Sequence, residues 1–225
     1  MSEQVWIDAV EVGRKIGVPE ESFIPPIPGA TRKVTVQNWN GEYLNKAIEY
    51  IRPYKEKGGT VVVSGHADAW IILGLANSLL PECNVMYGAG LNGPGSSPVA
   101  TPFILLPMGE KNPNLRFDYT LRTEGDNCYL DYRVDDPNPP KGVVHTFDNS
   151  QLPNLVLPVI PANKHLFLYA KGCYYVQVNV TNSYSKYALT VSTSYHDDKV
   201  YHCAYSSVPE MKPGDETPRL KESGV

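Results

Sequence analysis

One stretch in the first half of the chain shows the clearest succession of apolar and polar patterns. Residues 60–63 form a buried-strand pattern that breaks at Ser64-Gly65, and an apolar helical pattern follows over 70–80. A second short strand is predicted over 84–87, and it leads into a glycine-rich loop. Strand, tight turn, helix and strand in this order predict main-chain N–H groups and a helix N-terminus at one place, which suits an anionic ligand.

The segments around this stretch predict the other elements of a mixed α/β unit. Spaced apolar residues predict a short helix over 3–17, and four prolines within 18–29 predict an extended arm. Alternating valines predict a strand over 32–39, and an apolar stripe predicts a helix over 42–55. A further buried strand is predicted over 103–106.

The second half of the chain shows no helical period and no repeat of fixed length. Turn residues separate short apolar runs, which predict strands over 115–122, 127–134, 142–147, 154–160, 165–170, 173–181, 186–194 and 199–205. Eleven of the fifteen tyrosines lie here, and large aromatic side chains fit the pleated surface of a sheet. The predicted fold class is therefore an α/β N-terminal half, a small mixed sheet with one central helix, followed by an all-β antiparallel C-terminal half.

The same patterns predict four parts along the chain. Residues 1–30 form an N-terminal helix and proline-rich arm, and residues 31–108 form a ligand-binding domain. Residues 109–208 form the all-β, tyrosine-rich domain. Residues 209–225 are polar and contain prolines, which predicts a flexible tail.

Charge and cysteine content narrow the classes of partner. The formal net charge of −4 argues against a long nucleic-acid track, which requires a basic face. The four cysteines form no CxxC pair, which favours reduced thiols and a cytoplasmic protein. No apolar run approaches the roughly 20 residues of a membrane helix, and the N-terminus lacks the layout of a signal peptide.

Two glycine-bearing bends supply the candidate ligand-binding residues. These are Ser64, Gly65, His66, Ala67, Asp68, Trp70, Gly88, Gly90, Asn92, Gly93, Gly95, Ser96 and Ser97. The first bend is alternatively a plain strand-to-helix turn with Asp68 as N-cap, and the second a plain connection between strands. The second bend is neither a Walker loop nor a dinucleotide fingerprint. Trp70 is a candidate for stacking on a base, although its apolar helix favours a place in the core.

Catalytic and metal-binding candidates are weaker. His66 and Asp68 are the only candidates for a general acid/base pair, and no base can be assigned to Ser64 as a nucleophile. The group His196, His202 and Cys203 lacks the usual zinc spacing, so we expect no metal site and no cofactor. A calcium site at Asp135-Asp136 is a further alternative, although acidic turns usually just face water. A face of tyrosines that stacks on a sugar or a base is another, although tyrosines on strands are more often half-buried in packing. The seven tyrosines in question are Tyr174, Tyr175, Tyr184, Tyr187, Tyr195, Tyr201 and Tyr205.

Residues 31–108 contain the segments TVVVSGHADAWIILGLANSL and NVMYGAGLNG. Through Ser64-Gly65, Trp70 and Tyr87 to Leu91, which fall in register with its motifs, this part of the chain resembles the small CRISPR-associated ring-nuclease family of type III systems. The family is related to CARF ligand-sensing domains. Its members bind cyclic oligoadenylate, and some cleave it with the help of manganese.

The departures from the family's motifs concern its reactive side chains. Gly88 and Gly90 replace an aspartate and an arginine, His66 replaces an arginine, and a histidine after the helix has no counterpart. Phosphodiester cleavage needs groups that activate the nucleophile and offset charge on the phosphoryl oxygens. The resemblance therefore implies a binder of cyclic oligoadenylate or a related cyclic nucleotide more readily than a nuclease, acting in prokaryotic or phage antiviral signalling.

Three classes of function remain open from the sequence. The first is this cyclic-nucleotide binder, which we expect to be a homo-oligomer because ring-shaped ligands usually bind across symmetric interfaces. The second is a β-rich structural or interaction subunit that forms oligomers without a ligand. The third is a divergent ring nuclease that uses His66 and Asp68, and only this class would need manganese.

Overall fold

The computed structural model describes residues 4–24, 35–36, 39–89, 99–134, 147, 149–171, 174–195 and 200–218. The chain divides into two compact units, Met1–Ile104 (unit 1) and Leu105–Val225 (unit 2). Unit 1 combines a mixed four-stranded sheet with three of the described helices, and unit 2 is dominated by a six-stranded sheet. At this level the predicted fold class is confirmed.

Unit 1 is built on a mainly parallel sheet. Its strands are β1 (Gln4–Asp8), β2 (Phe23–Ile24), β3 (Thr35–Val36), β4 (Gly59–Ser64), β5 (His66–Ala67), β6 (Cys83–Ala89) and β7 (Val99–Pro102). Its helices are α1 (Ala9–Lys15), α2 (Gly41–Lys57) and α3 (Ala69–Leu79). The strand order is β1-β4-β6-β7, in which the first three strands are parallel and β7 returns antiparallel. Strands β2, β3 and β5 form a second, smaller sheet.

Helix α3 is the central helix that the sequence predicts, and it connects β4 to β6. Nine of its eleven residues are buried, as expected for a helix that is apolar on all sides. Gly74 on α3 lets α2 approach closely, because a Cβ there would lie 2.9 Å from both methyl carbons of Leu44. Among the described residues, no helix is both long and apolar enough to cross a membrane.

Two predictions in unit 1 are wrong in detail. The predicted helix over 3–17 is instead strand β1 followed by α1, because the Asp8 side chain accepts hydrogen bonds from the N–H groups of Val10 and Glu11 and starts the helix there. The predicted strand over 103–106 is not a strand. The edge position beside β6 is taken by the four residues of β7.

Unit 2 also contains parallel strands. Its elements are β8 (Phe117–Glu124), β9 (Asn127–Val134), β10 (His165–Lys171), α4 (Tyr174–Tyr184), β11 (Thr190–Tyr195), β12 (Val200–Ser206) and β13 (Glu216–Pro218). The sheet order is β13-β12-β11-β10-β9-β8. Strands β9, β10 and β11 are parallel, whereas the pairs toward both edges are antiparallel. The sheet is therefore mixed rather than wholly antiparallel.

Helix α4 corrects the predicted strand over 173–181. Nine of its eleven residues are buried, so no exposed face produces a 3.6-residue period in the sequence. Its polar side chains bond to carbonyls four residues earlier: Asn179 donates to Tyr175, Thr181 to Gln177, and Ser183 to Asn179. A helix satisfies these buried groups locally, and it supplies the crossover that two parallel strands require.

Other predicted elements of unit 2 change as well. Residues 154–160 form no strand of the sheet; Asn149–Asn154 is a 3-10 helix, and Leu157 makes one isolated bridge to Met108. The predicted strand over 142–147 lies, except for residue 147, outside the described residues. The start of the predicted flexible tail is folded, because β13 pairs with β12. Residues 219–225 lie outside the described residues.

The two units share one arrangement of strands that the sequence does not reveal. The order β1-β4-β6-β7 in unit 1 matches β9-β10-β11-β12 in unit 2, with three parallel strands followed by one antiparallel strand. In both units an eleven-residue buried helix connects the second of these strands to the third. The side chains of the two helices differ, since α3 is apolar and α4 carries buried amides and hydroxyls.

The buried thiol of Cys203 predicts a loss of stability at alkaline pH. Burial raises the pKa of this thiol from 9.0 to about 12, so the folded protein keeps a proton that the unfolded chain releases. Its stabilising contribution is complete below pH 9.0 and is lost as the pH rises toward 12. In that window we expect the free energy of unfolding to fall by up to about 1.4 kcal/mol per pH unit from this group.

Urea titrations of the reduced protein at several pH values measure this slope. Cys203→Ala removes the titrating thiol, so the free energy of unfolding of this variant should fall less steeply above pH 9.0 than that of the wild type. Parallel curves for the two proteins would contradict the expected role of Cys203.

Candidate functional site

The first predicted bend and the end of strand β6, after which the second bend was predicted, lie side by side at the carboxyl edge of the parallel strands of unit 1. Ser64, the last residue of β4, is the register partner of Asp8 on β1 and of Gly88 on β6. Helix α1 begins directly after Asp8, and α3 begins at Ala69. Ligands of α/β sheets bind at this edge, where strands end and helices begin.

The first bend is held tightly against the start of α1. Gly65 has a φ of +111°, and a Cβ on it would lie 2.9 Å from the main-chain nitrogen of Ala9 and 3.1 Å from Oδ1 of Asp8. Both the dihedral angle and the contact require glycine. Packing within unit 1 is therefore sufficient to explain this glycine.

Two carboxylates lie at the helix starts of this edge. Oδ1 of Asp8 accepts hydrogen bonds from Val10 N (2.9 Å) and Glu11 N (3.3 Å), so the protein itself occupies the anion-binding position of α1. Asp68 stands at the N-cap position of α3 and is only 7% exposed, but its side chain makes no capping hydrogen bond. At the start of α3, the N–H groups of Ile71 and Ile72 donate to the main-chain carbonyl of Asp68 at 3.0 and 3.2 Å, so the amides of this helix start are already partly engaged.

The segment between these features is a strand rather than an open loop. His66 and Ala67 form β5, which pairs in parallel with Thr35 and Val36 of β3. Ala67 is fully buried and His66 is half-buried. The main chain of these two residues is thus engaged in a sheet, and fewer amides are available to a ligand than the sequence suggests.

Gly88 is enclosed by its neighbours. It pairs with Ser64 on one side and with Ala100 of β7 on the other. A Cβ on Gly88 would lie 2.7 Å from Cβ of Ser64 and 2.7 Å from Cζ3 of Trp6. Close packing against Trp6 explains this glycine, and it places Trp6 at the candidate site.

Sequence reasoning missed Trp6 because it assigned residues 3–17 to a helix. In strand β1, Trp6 alternates with Val5 and Ile7, and it therefore faces the opposite side of the sheet from both. The short apolar run Val5-Trp6-Ile7, made of β-branched and aromatic residues between two polar ones, was the signal that could have revealed this strand. Trp6 is 42% exposed.

Trp70 does not belong to the candidate site. Its side chain is 1% exposed within α3, so it packs in the core of unit 1 and cannot stack on a base from solvent. The other predicted residues of the second bend lie outside the described residues: Gly90, Asn92, Gly93, Gly95, Ser96 and Ser97.

The aromatic side chains of unit 2 form internal packing. Tyr129 and Phe167 are stacked at 5.1 Å, and Tyr201 meets Phe167 edge-on at the same centroid distance. All three are buried, and Arg122 lies over the Tyr129 ring. Of the seven tyrosines proposed for a stacking face, Tyr175, Tyr184 and Tyr201 are buried, whereas Tyr187 is exposed.

The zinc and calcium alternatives gain no support from the described residues. His202 and Cys203 are consecutive on β12 and therefore point to opposite faces of the sheet. No cluster of three or more His, Cys, Asp or Glu side chains suited to a metal ion is found in the part of the chain that the structure describes. Asp135, Asp136 and His196 lie outside that part.

A scan of the chain against protein-family models gives no match, and a search of curated proteins gives none either. The likeness of residues 31–108 to the ring-nuclease family thus remains a resemblance of short motifs.

Proposed function

We propose that unit 1 binds a cyclic oligoadenylate, or a related cyclic nucleotide, at the carboxyl edge of β4 and β6, and that it acts in prokaryotic or phage antiviral signalling without cleaving the ligand. The observation that supports this most directly is the pairing of Ser64 with Gly88, which places the first segment of the motif resemblance next to the start of the second. Binding across a homo-oligomer fits the symmetry of a ring-shaped ligand.

The start of α3 is the part of this edge that suits a phosphate. A helix N-terminus carries about half a positive charge from its unpaired amides, and α3 is long enough for that field to develop. The bend at Gly65 turns the chain from β4 toward this helix start. In the proposed complex, a phosphate of the ring lies at this helix start and accepts a hydrogen bond from the N–H group of Ala69, the first residue of α3.

Binding without cleavage follows from the side chains at this edge. The described residues that meet here include the carboxylates of Asp8 and Asp68 but neither lysine nor arginine. Cleavage requires a group that offsets developing charge on the phosphoryl oxygens. His66 is the one ionisable side chain of this stretch that could do so, and it is half-buried in β5.

Isothermal titration calorimetry with cyclic di-, tri-, tetra- and hexa-adenylate tests the proposal. We expect one ring size to bind with a Kd in the micromolar range or below, and its linear counterpart, which carries the same bases, to bind at least about tenfold more weakly because its open ends must be ordered. Binding of none of the four rings would overturn the proposal.

Chromatography of the recovered ligand separates binding from turnover. We expect the ring to remain intact with and without manganese. Cleavage that His66→Ala abolishes would instead assign the protein to active ring nucleases. Light scattering with and without ligand tests the oligomer, and oligomers unaffected by every ring would favour a structural subunit.

A further inference from the structure

Trp6 differs from the other two tryptophans of the chain in its exposure. Trp39 and Trp70 are each 1% exposed, whereas Trp6 is 42% exposed. An indole is the largest apolar side chain, and folded proteins usually bury most of its area. Trp6 lies on β1, at one edge of the four-stranded sheet.

The indole of Trp6 lies across the strand next to its own. Gly88 is on β6, and β4 separates β6 from β1, yet Cζ3 of Trp6 comes within 2.7 Å of the position that a Gly88 Cβ would take. The ring therefore passes over β4, where Val62 and Ser64 are buried on the same face. One side of the ring contacts the sheet, and the exposed remainder faces solvent.

This arrangement places a flat aromatic surface at the carboxyl end of β4, next to Ser64 and Gly88. Ser64 is adjacent to Gly65, the bend that leads toward α3, and a Gly88 Cβ would contact Ser64 and Trp6 at once. A phosphate at the helix start and a base on the indole would be parts of one ligand. Gly88 makes the platform possible, because any side chain there would displace the ring.

We propose that Trp6 binds a purine base of the ligand by stacking on the exposed side of its indole. The inference rests on the proposed function, since it assigns the base-binding residue of the same site. Stacking of a base on an aromatic side chain gives affinity with little dependence on hydrogen bonding. Purines, which have the larger ring system, should therefore bind more tightly than pyrimidines.

Trp6→Leu and Trp6→Phe separate stacking from packing. Leucine still covers Val62 with an apolar side chain but offers no aromatic surface, whereas phenylalanine keeps one. We expect both variants to fold, as judged by their melting temperatures. Calorimetry should show that Trp6→Leu weakens binding of the adenylate ring about 10- to 100-fold, while Trp6→Phe weakens it only severalfold.

Quenching of tryptophan fluorescence provides a second readout. If Trp6 served only to pack against the sheet, a bound ligand would not change the quenching of its indole. Because Trp39 and Trp70 are buried, acrylamide should quench mainly Trp6, and the adenylate ring should protect it. This protection should disappear in Trp6→Phe. A cyclic oligouridylate of equal size, with the same phosphates, should bind more weakly and protect less, and inorganic phosphate should not protect.

The outcomes distinguish the two proposals. Equal affinity of the adenylate ring for wild type and Trp6→Leu would overturn the role of Trp6 and leave the proposed function standing. Failure of every ring to bind the wild-type protein would overturn both.

Discussion

Gly65→Ala should lower the free energy of unfolding by about 3 kcal/mol. This loss combines the cost of a backbone conformation that L-residues rarely adopt with the cost of a clash between the new Cβ and the start of α1. The φ of Gly65 is +111°, and the new Cβ would lie 2.9 Å from the main-chain nitrogen of Ala9. Main-chain atoms cannot move aside as a flexible side chain can, so α1 must shift away from β4. Urea denaturation of the two proteins measures the loss.

Gly59→Ala is the matched control. Gly59 stands at the other end of β4 with a φ of +97°, and a Cβ added to it would meet no atom within 4 Å. This variant shares the dihedral strain but not the collision, so we expect it to lose only about 1 kcal/mol. Equal losses of unfolding free energy in the two variants would show that the clash with α1 does not add to the destabilisation caused by Gly65→Ala.

Trp70→Ala lowers the free energy of unfolding by about 3–5 kcal/mol, the range for removal of a large aromatic side chain from a core. Trp70 is 1% exposed, and the neighbouring residues of α3 are also buried, so little can move to fill the cavity. Chemical denaturation measures the loss, and Trp70→Phe, which keeps a ring in the same space, should lose less.

Trp6→Ala is the corresponding control on the surface. Because Trp6 is 42% exposed, its removal should cost clearly less stability than that of Trp70. A Trp70→Ala variant with wild-type stability but without nucleotide binding would contradict the structure and return Trp70 to the ligand site.

The elements that the sequence predicted well are those whose pattern reflects a local cause. Helix α3 matches the predicted helix over 70–80, because an unbroken run of helix-compatible apolar residues has few alternatives. Strand β9 matches its predicted bounds, and a Gly-Asp turn joins it to β8. The approach of Ser64 to Gly88 was expected from the order of strand, helix and strand.

The elements that the sequence predicted wrongly depend on distant partners. Helix α4 carries β-branched and tyrosine residues that favour strands locally, but its place between two parallel strands requires a crossover helix. Strand β13 is polar and is ordered through its pairing with β12. Trp6 could be assigned to the site only once β1 was seen to lie next to β4.

The sequence by itself determined that the chain has an α/β first half, a central buried helix and a glycine bend at Gly65, because these depend on local apolar patterns and turn residues. Only the tertiary structure decided which glycines serve packing, which tryptophan faces solvent and that both units share one strand order. These properties arise from contacts between strands that are far apart in the chain, and register and burial are set by those contacts rather than by the neighbours in sequence.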